Sequence, residues 1–246
     1  MTANLHVTKI NGNLAYYDSI AHNLIEAIGP DVVKVIMDFV GDVHYTSPSV
    51  LESDLNWTVT RVEAGAGEST IAVVDGVGGI LRITTDAAEN DGINAQLIGE
   101  AFEFTSDQVL CFAVKGCKLS DATQSDFFLG LSITDTDILG GVTDAIGFQK
   151  VDGSADLTFI QTKNSSTTTS SGLATLADAT AFDLLFYWDG TAGTVSVYVN
   201  NVLVAAPVTT NLPNDEFLRI SWQFLAGAAA SKTMDIDKLT CIMIGR

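Results

Sequence analysis

From about residue 55 onward the chain is a succession of short runs in which apolar and polar residues alternate, separated by Gly, Asn, Asp and Ser. A period of two places every second side chain on one face, which is the pattern of a strand with one covered side. The clearest pair has Phe182, Leu184, Phe186 and Trp188 on one face of the first run and Val195, Val197 and Val199 on one face of the second. Asp189-Gly190-Thr191-Ala192-Gly193 lies between them and predicts a hairpin with a glycine-containing turn, and Asn200-Asn201 predicts a second turn into Val202 to Ala205. Further strands are expected over residues 57–62, 80–84, 109–114, 127–133, 146–151, 157–162, 218–224 and 234–244. So many strands need two packed sheets or a closed barrel to cover their apolar faces, so the predicted class is all-β.

The start of the chain has a different rhythm. Tyr17, Ile20, Leu24 and Ile28 recur at helical spacing and Gly29-Pro30 follows as a stop, which predicts one short amphipathic helix. Val32 to Phe39 is rich in β-branched residues and suits an extended segment that opens the sandwich. The expected division is an N-terminal arm over residues 1–45 and a β-sandwich over 46–246. Residues 164–172, rich in Ser and Thr, carry nothing to anchor a core and predict a surface loop, with a Thr-rich edge strand as the alternative. No internal repeat argues for a solenoid or propeller.

Apolar residues make up 47% of the chain and charged residues 17%, enough to offset the ordering entropy of folding. The formal charge of −18 repels phosphate backbones and anionic headgroups, so neither nucleic acid nor a membrane surface is an expected partner. No apolar run is long enough for a membrane-spanning helix, and the first ten residues lack the pattern of a secretory signal, so a soluble protein made in the cytoplasm is expected. Cys111, Cys117 and Cys241 follow no metal-ligand spacing and predict free thiols.

Catalytic signatures are largely missing. His6, His22 and His44 all precede the sandwich, which removes imidazole from any triad or zinc site there. Gly76-Val77-Gly78-Gly79 lacks the dinucleotide pattern and reads as a turn between strands. Asp135-Thr136-Asp137 opens like a calcium loop, but Leu139 and Ile146 stand where ligands are required, leaving an acidic turn. Glu100 and Glu103 would point to opposite strand faces, and Asp235 and Asp237 share a face without a Glu neighbour, so neither pair suits glycoside hydrolysis. Trp57, Trp188 and Trp222 could stack on sugar rings; Trp188 and Trp222 sit on apolar strand faces and fit a core better.

The ordering of these segments resembles the concanavalin A-like lectin/glucanase sandwich, or laminin G-like jelly roll, in the form found in tailed-bacteriophage structural proteins. The residues that carry the resemblance are Met37-Asp38-Phe39 with Trp57 downstream, Gly78 to Ile83, Ala145 to Lys150, Asp189 to Asn201, and Met234 to Leu239. It implies a two-sheet antiparallel jelly roll; the Glu-x-Asp-x-x-Glu strand of the glucanase branch is absent, and the family's calcium ligands are not assigned to residues of this chain.

The resulting expectation is a non-enzymatic virion protein without cofactor or metal, most simply a capsid decoration or head-surface protein. Tyr17, Ile20, Leu24 and Ile28 of the arm would bind the major capsid protein or other virion proteins, and a homo-oligomer such as a trimer is expected. The alternative is a carbohydrate-binding adsorption module of a tail or fibre, with Trp57 and polar loops contacting glycans. A glycan-cleaving enzyme ranks third.

Overall fold

The computed structural model describes residues 5–10, 13–18, 24–28, 31–39, 44–47, 50–52, 57–63, 65 and 67–245, with side chains described from residue 31 except over 44–52. In chain order the strands are β1 (Leu5–Ile10), β2 (Asn13–Asp18), β3 (Leu24–Ile28), β4 (Val32–Met37), β5 (His44–Ser47), β6 (Val50–Glu52), β7 (Trp57–Val62), β8 (Thr70–Val74), β9 (Ile80–Thr84) and β10 (Gly92–Leu97). They continue with β11 (Val109–Leu119), β12 (Ser125–Ser132), β13 (Ala145–Lys150), β14 (Asp156–Lys163), β15 (Ser166–Thr175), β16 (Phe182–Asp189), β17 (Thr194–Val199), β18 (Val202–Ala205), β19 (Arg219–Ala226), β20 (Thr233–Ile236) and β21 (Lys238–Ile244).

Two nine-stranded antiparallel sheets form the sandwich. The front sheet runs β15-β14-β13-β12-β19-β10-β7-β6-β5, and the back sheet runs β18-β17-β16-β11-β20-β9-β8, with β21 and β4 added beside β11. Inward positions of both sheets close one core, in which Phe112 stacks on Phe186 at 5.3 Å while Phe159 meets Phe186 edge-on at 5.5 Å. The alternation read from the sequence is realised residue by residue in β16, where Phe182, Leu184, Phe186 and Trp188 are buried between half-buried neighbours. Asn200 and Asn201 take φ of 51° and 62°, the left-handed pair that a tight hairpin turn demands, and the β17–β18 hairpin turns there.

Several expectations change. Among the described residues the expected helix is not found: Tyr17 lies in β2, Leu24 and Ile28 lie in β3, and Ile20 is outside the described residues. β1, β2 and β3 make a separate three-stranded meander. In so short a stretch, helical spacing and strand alternation share positions, and β1 provides a pairing edge that a periodicity count ignores. The Ser/Thr-rich segment is the edge strand β15 rather than a loop: Asn164 and Ser165 at φ 48° and 64° make the turn, and Thr167, Thr168 and Thr169 pair with β14. β-branched threonines tolerate a half-exposed edge without any apolar anchor. β4 pairs with β21 along its whole length, with Met37 in the core, so the sandwich takes up the extended segment that the division at residue 45 leaves in the arm.

β11 serves two neighbours because it bends. Gly116, at φ 62°, turns the strand between residues that pair with β21 and residues that pair with β20. On the outer side beyond the bend, Arg82 grips Asp235 with two bonds of 2.7 and 2.8 Å, and Lys118 adds a third contact at 3.0 Å. Burial alone would raise the Asp235 carboxyl, but Arg82 and Lys118 outweigh it and hold its pKa below the usual carboxylate range. A lowered folded pKa contributes stability that is complete above the unfolded value of about 3.9 and is lost as pH falls through the folded one. Asp235→Asn is expected to lose about 2 kcal/mol near neutral pH, a figure discounted because Arg82 and Lys118 stay partly in water. Urea titrations of both proteins should converge as pH drops below 4; a constant gap would show that the carboxylate charge plays no part.

Candidate functional site

The outer face of the front sheet carries an unusual row of buried amides and hydroxyls. β10 alternates Ile93, Ala95 and Leu97 into the core with Asn94 and Gln96 outward, and β12 and β19 add Ser132, Ser221 and Gln223 to the same face. These groups are dry because residues 133–143, which include a 3₁₀ turn at Ile138–Gly140, fold over them. Gln96 Nε2 donates to Ser132 Oγ, Ile133 O and Ser221 Oγ at 2.8–3.0 Å, while Gln96 Oε1 accepts from Asp135 N at 2.9 Å. Asn94 Nδ2 donates to Asp135 O at 2.7 Å. Gln223 accepts from Leu139 N at 2.8 Å and donates to Asp137 Oδ1 at 2.7 Å. Ile138 and Val142 then pack on Phe128, Ala145 and Ile160 as a small second core.

This loop divides the face into two clefts. The larger, about 510 Å³, is bounded by Glu100, Thr134, Asp144, Asn164, Ser165 and Glu216. The smaller, about 250 Å³, lies between Asp126, Asp137, Gln149, Asp152 and Leu225. Burial would raise Glu100, but the hydroxyl and amide of Thr134 and the guanidinium of Arg219 bring its pKa below the usual range. Asp126 goes the other way: burial raises it and Asp152 adds like-charge repulsion, although the Asp152 amide donates to it. Among the described residues no group of three or more His, Cys, Asp or Glu side chains is placed to hold a metal ion.

The sequence candidates are dispersed. Trp57, Trp188 and Trp222 are 3%, 5% and 2% exposed, so Trp57, expected as an exposed platform, joins the core and lies 6.3 Å from Trp222. Residue 57 begins β7 on the inward face, and its ring fills the space between the sheets. Glu100 is bound to Thr134 and Arg219, whereas Glu103 accepts from Gln108, so the two carboxylates serve separate contacts. Asp235 is committed to Arg82 and Lys118 on the back sheet. The acidic turn at Asp135 uses its oxygens internally: Asp135 Oδ1 accepts from Asp137 N and Asp137 Oδ1 from Gly140 N. Asn94, Gln96 and Gln223 were missed by the sequence reading; the available signal was the amide at each outward position of Gly92-Ile93-Asn94-Ala95-Gln96-Leu97.

With two sheets of this order and a jelly-roll path between them, the architecture can be compared with known structures. A protein of unknown function from Shewanella oneidensis MR-1 superposes with a TM-score of 0.59 at 14% identity, covering 90% of each chain. An endo-1,3-β-glucanase from Streptomyces sioyaensis gives 0.58 at 10% identity over 90% of this chain and 99% of that one. The carbohydrate recognition domain of Emp46p, in a potassium-bound form, gives 0.52 at 11% identity over 75% and 87%. The fold is the concanavalin A-like jelly roll. At these identities the likeness is one of architecture, and the jelly roll hosts both lectins and glucanases. No protein-family model matches the sequence, and no curated protein matches it.

Removal of Gln96 should show how firmly the loop is held on this jelly roll. Gln96→Ala leaves Ser132, Ser221 and Asp135 N without their shared partner, at a cost of about 2 kcal/mol. Amide exchange at Asp135 and Leu139 is expected to speed up well before global unfolding. Unchanged protection there would mean that Asn94, Gln223 and the packing of Ile138 and Val142 keep the loop down without Gln96.

Proposed function

We propose that this chain is a non-enzymatic structural protein of a tailed-phage virion, displayed on the capsid surface and attached through its N-terminal meander. The observation that carries the reading is the meander itself: its strands pair with one another in a sheet separate from both sheets of the sandwich. Three strands with a hydrophobic face are the least that stands alone in water, and such a sheet gains stability from a surface to lie on. The covered centre of the front face adds support, since the loop over Asn94, Gln96 and Gln223 takes up hydrogen-bonding groups that would otherwise be open to a ligand. The virion setting rests on the resemblance carried by Asp189 to Asn201 and Met234 to Leu239.

Co-sedimentation with capsids lacking this protein tests the reading. Saturable binding by the full-length chain and its loss in Leu24→Asp are expected. Absence of binding by the full-length chain would overturn the proposal.

A second reading, glycan binding, is favoured by the cleft of about 510 Å³ with Thr134, Asn164 and Ser165 at its edge. The likeness to a carbohydrate recognition domain adds support. Its test is a glycan-array screen of the full-length chain, with Asn164→Ala as the variant that should lose any signal.

A further inference from the structure

One flank of the sandwich carries no charge. Residues 164–177 and 190–214 contain no Asp, Glu, Lys or Arg, in a chain whose formal charge is −18. The two stretches meet in space, because β15 is an edge of the front sheet and β18 is the edge of the back sheet beside it. The segment after β18 is tied to the same flank: Gln161 Nε2 donates to Val208 O at 3.0 Å, and Asn211 Nδ2 donates to Thr168 Oγ1 at 2.9 Å. Exposed apolar side chains gather there as well, with Val202, Leu203 and Val208 exposed by 62%, 56% and 66%.

β15 also offers backbone groups. Asn164 and Ser165 form a two-residue turn, which makes Lys163 and Ser166 a hydrogen-bonded pair. Alternation from there turns the N–H and C=O of Thr168 and Ser170 onto β14, and those of Thr167 and Thr169 to the open side. No other described residue makes a backbone hydrogen bond to Thr167 or Thr169. Soluble proteins guard a long edge with charged side chains or proline. Residues 166–170 have neither, whereas β18 runs into Pro207 and β8 is flanked by Glu68 and Asp75.

We infer that β15 pairs with β15 of a second copy of the chain, antiparallel about a twofold axis at Thr168, so that the front sheets of two molecules become one. The sequence selects the occupant: Ser165-Ser166-Thr167-Thr168-Thr169-Ser170-Ser171 reads the same in both directions. An antiparallel pair centred on Thr168 sets Thr167 against the second copy's Thr169 and Ser166 against its Ser170. Every residue then faces its own kind, and the open N–H and C=O of Thr167 and Thr169 all find partners. The axis stands perpendicular to the sheet, so both back sheets lie on the same side of the joint. β18 and the segment after it approach their counterparts there, and Leu203 and Val208 bury apolar surface. The acidic surface elsewhere opposes close approach of two copies, but this flank has no charge to repel or to desolvate.

The test is sedimentation velocity on the full-length chain over a wide concentration range, with Thr169→Pro and Thr167→Lys as variants. Proline at 169 removes a donor that β14 does not use, and lysine at 167 sets like charges beside the axis. The expected result is a reversible dimer for the unaltered chain and a dissociation constant at least about tenfold higher in a variant that keeps its far-ultraviolet spectrum. Thr167 is exposed, so Thr167→Lys decides if Thr169→Pro fails to fold. Thr168→Cys brings two thiols together at the axis with Cα atoms about 4.5 Å apart, and mild oxidation should link the copies through it. Thr175→Cys, exposed but off the axis, should not link them. A monomer at all concentrations, a trimer, a dimer indifferent to folded Thr169→Pro and Thr167→Lys, or equal linking by the two cysteine variants overturns the inference.

Discussion

Replacing Phe186 with alanine is expected to destabilise the sandwich by about 3–5 kcal/mol, the range for removing a large buried aromatic. Phe186 is fully buried and stands at the junction of both sheets: it stacks on Phe112 of β11 and touches Phe148 and Phe159 of the front sheet at ring distances of 6.4 and 5.5 Å. Strand ladders on either side hold the backbone apart, so the space cannot collapse around the smaller side chain. For a domain of this size the loss corresponds to a fall in melting temperature of roughly 6–20 °C. Scanning calorimetry of Phe186→Ala and Phe186→Leu checks it. The leucine variant should recover more than half of the loss, and a melting temperature unchanged in the alanine variant would show that the two sheets do not share one core.

Gly130→Ala is expected to cost about 3 kcal/mol or more despite adding a single methyl group. Gly130 of β12 and Gly147 of β13 are paired directly, and a β-carbon on Gly130 would press on Ile146 O and lie 2.6 Å from Gly147 Cα. A β-carbon on Gly147 would lie 2.7 Å from Gly130 Cα and 3.0 Å from Phe128 Cζ. The opposing atoms are mainly backbone, so no rotamer change relieves the contact and the strands must separate. Phe128 of β12 and Ala145 of β13 both belong to the small core under the loop, so forcing these strands apart should loosen residues 133–143. Equilibrium denaturation measures the first effect, and amide exchange at Leu139 the second. A Gly130→Ala protein as stable as the original would show that β12 and β13 are further apart than described.

The strands that alternate over a covered face were legible from their side chains alone. β7, β9 and β18 begin and end where the pattern sets them, and β16 and β17 with their turn follow closely, because period-two burial and turn chemistry are local properties. β8 and β10 were missed for opposite reasons. β10 is buried on both faces and carries amides at its outward positions, so it shows no apolar-polar alternation, while β8 is a short run whose strand character depends on pairing with β9. The paired glycines 130 and 147 likewise carry no signal until the register of β12 against β13 sets them opposite each other.

The candidate site was the least legible part. An Asn, two Gln and two Ser residues on three strands are unremarkable one by one, and only the order β12-β19-β10 assembles them into a row. What covers that row comes from residues 133–143, read from the sequence as a solvated acidic turn. Trp57 shows the same limit in reverse: it was a candidate for glycan contact, whereas its ring lies beside Trp222, a residue far away in the chain.

By itself, then, the amino-acid order determined an all-β chain, most of its strands and turns, and a strongly acidic surface, since each follows from local periodicity or from a sum over residues. Tertiary structure decided which strands are neighbours, that residues 5–10, 13–18 and 24–28 pair as strands of a meander, and that the centre of the front face is covered by the chain's own loop. It also showed that Ile242 and Ile244 of β21 cluster with Val32 and Val109 apart from the main core. These outcomes depend on contacts between distant segments, whose free energy no local window of sequence contains.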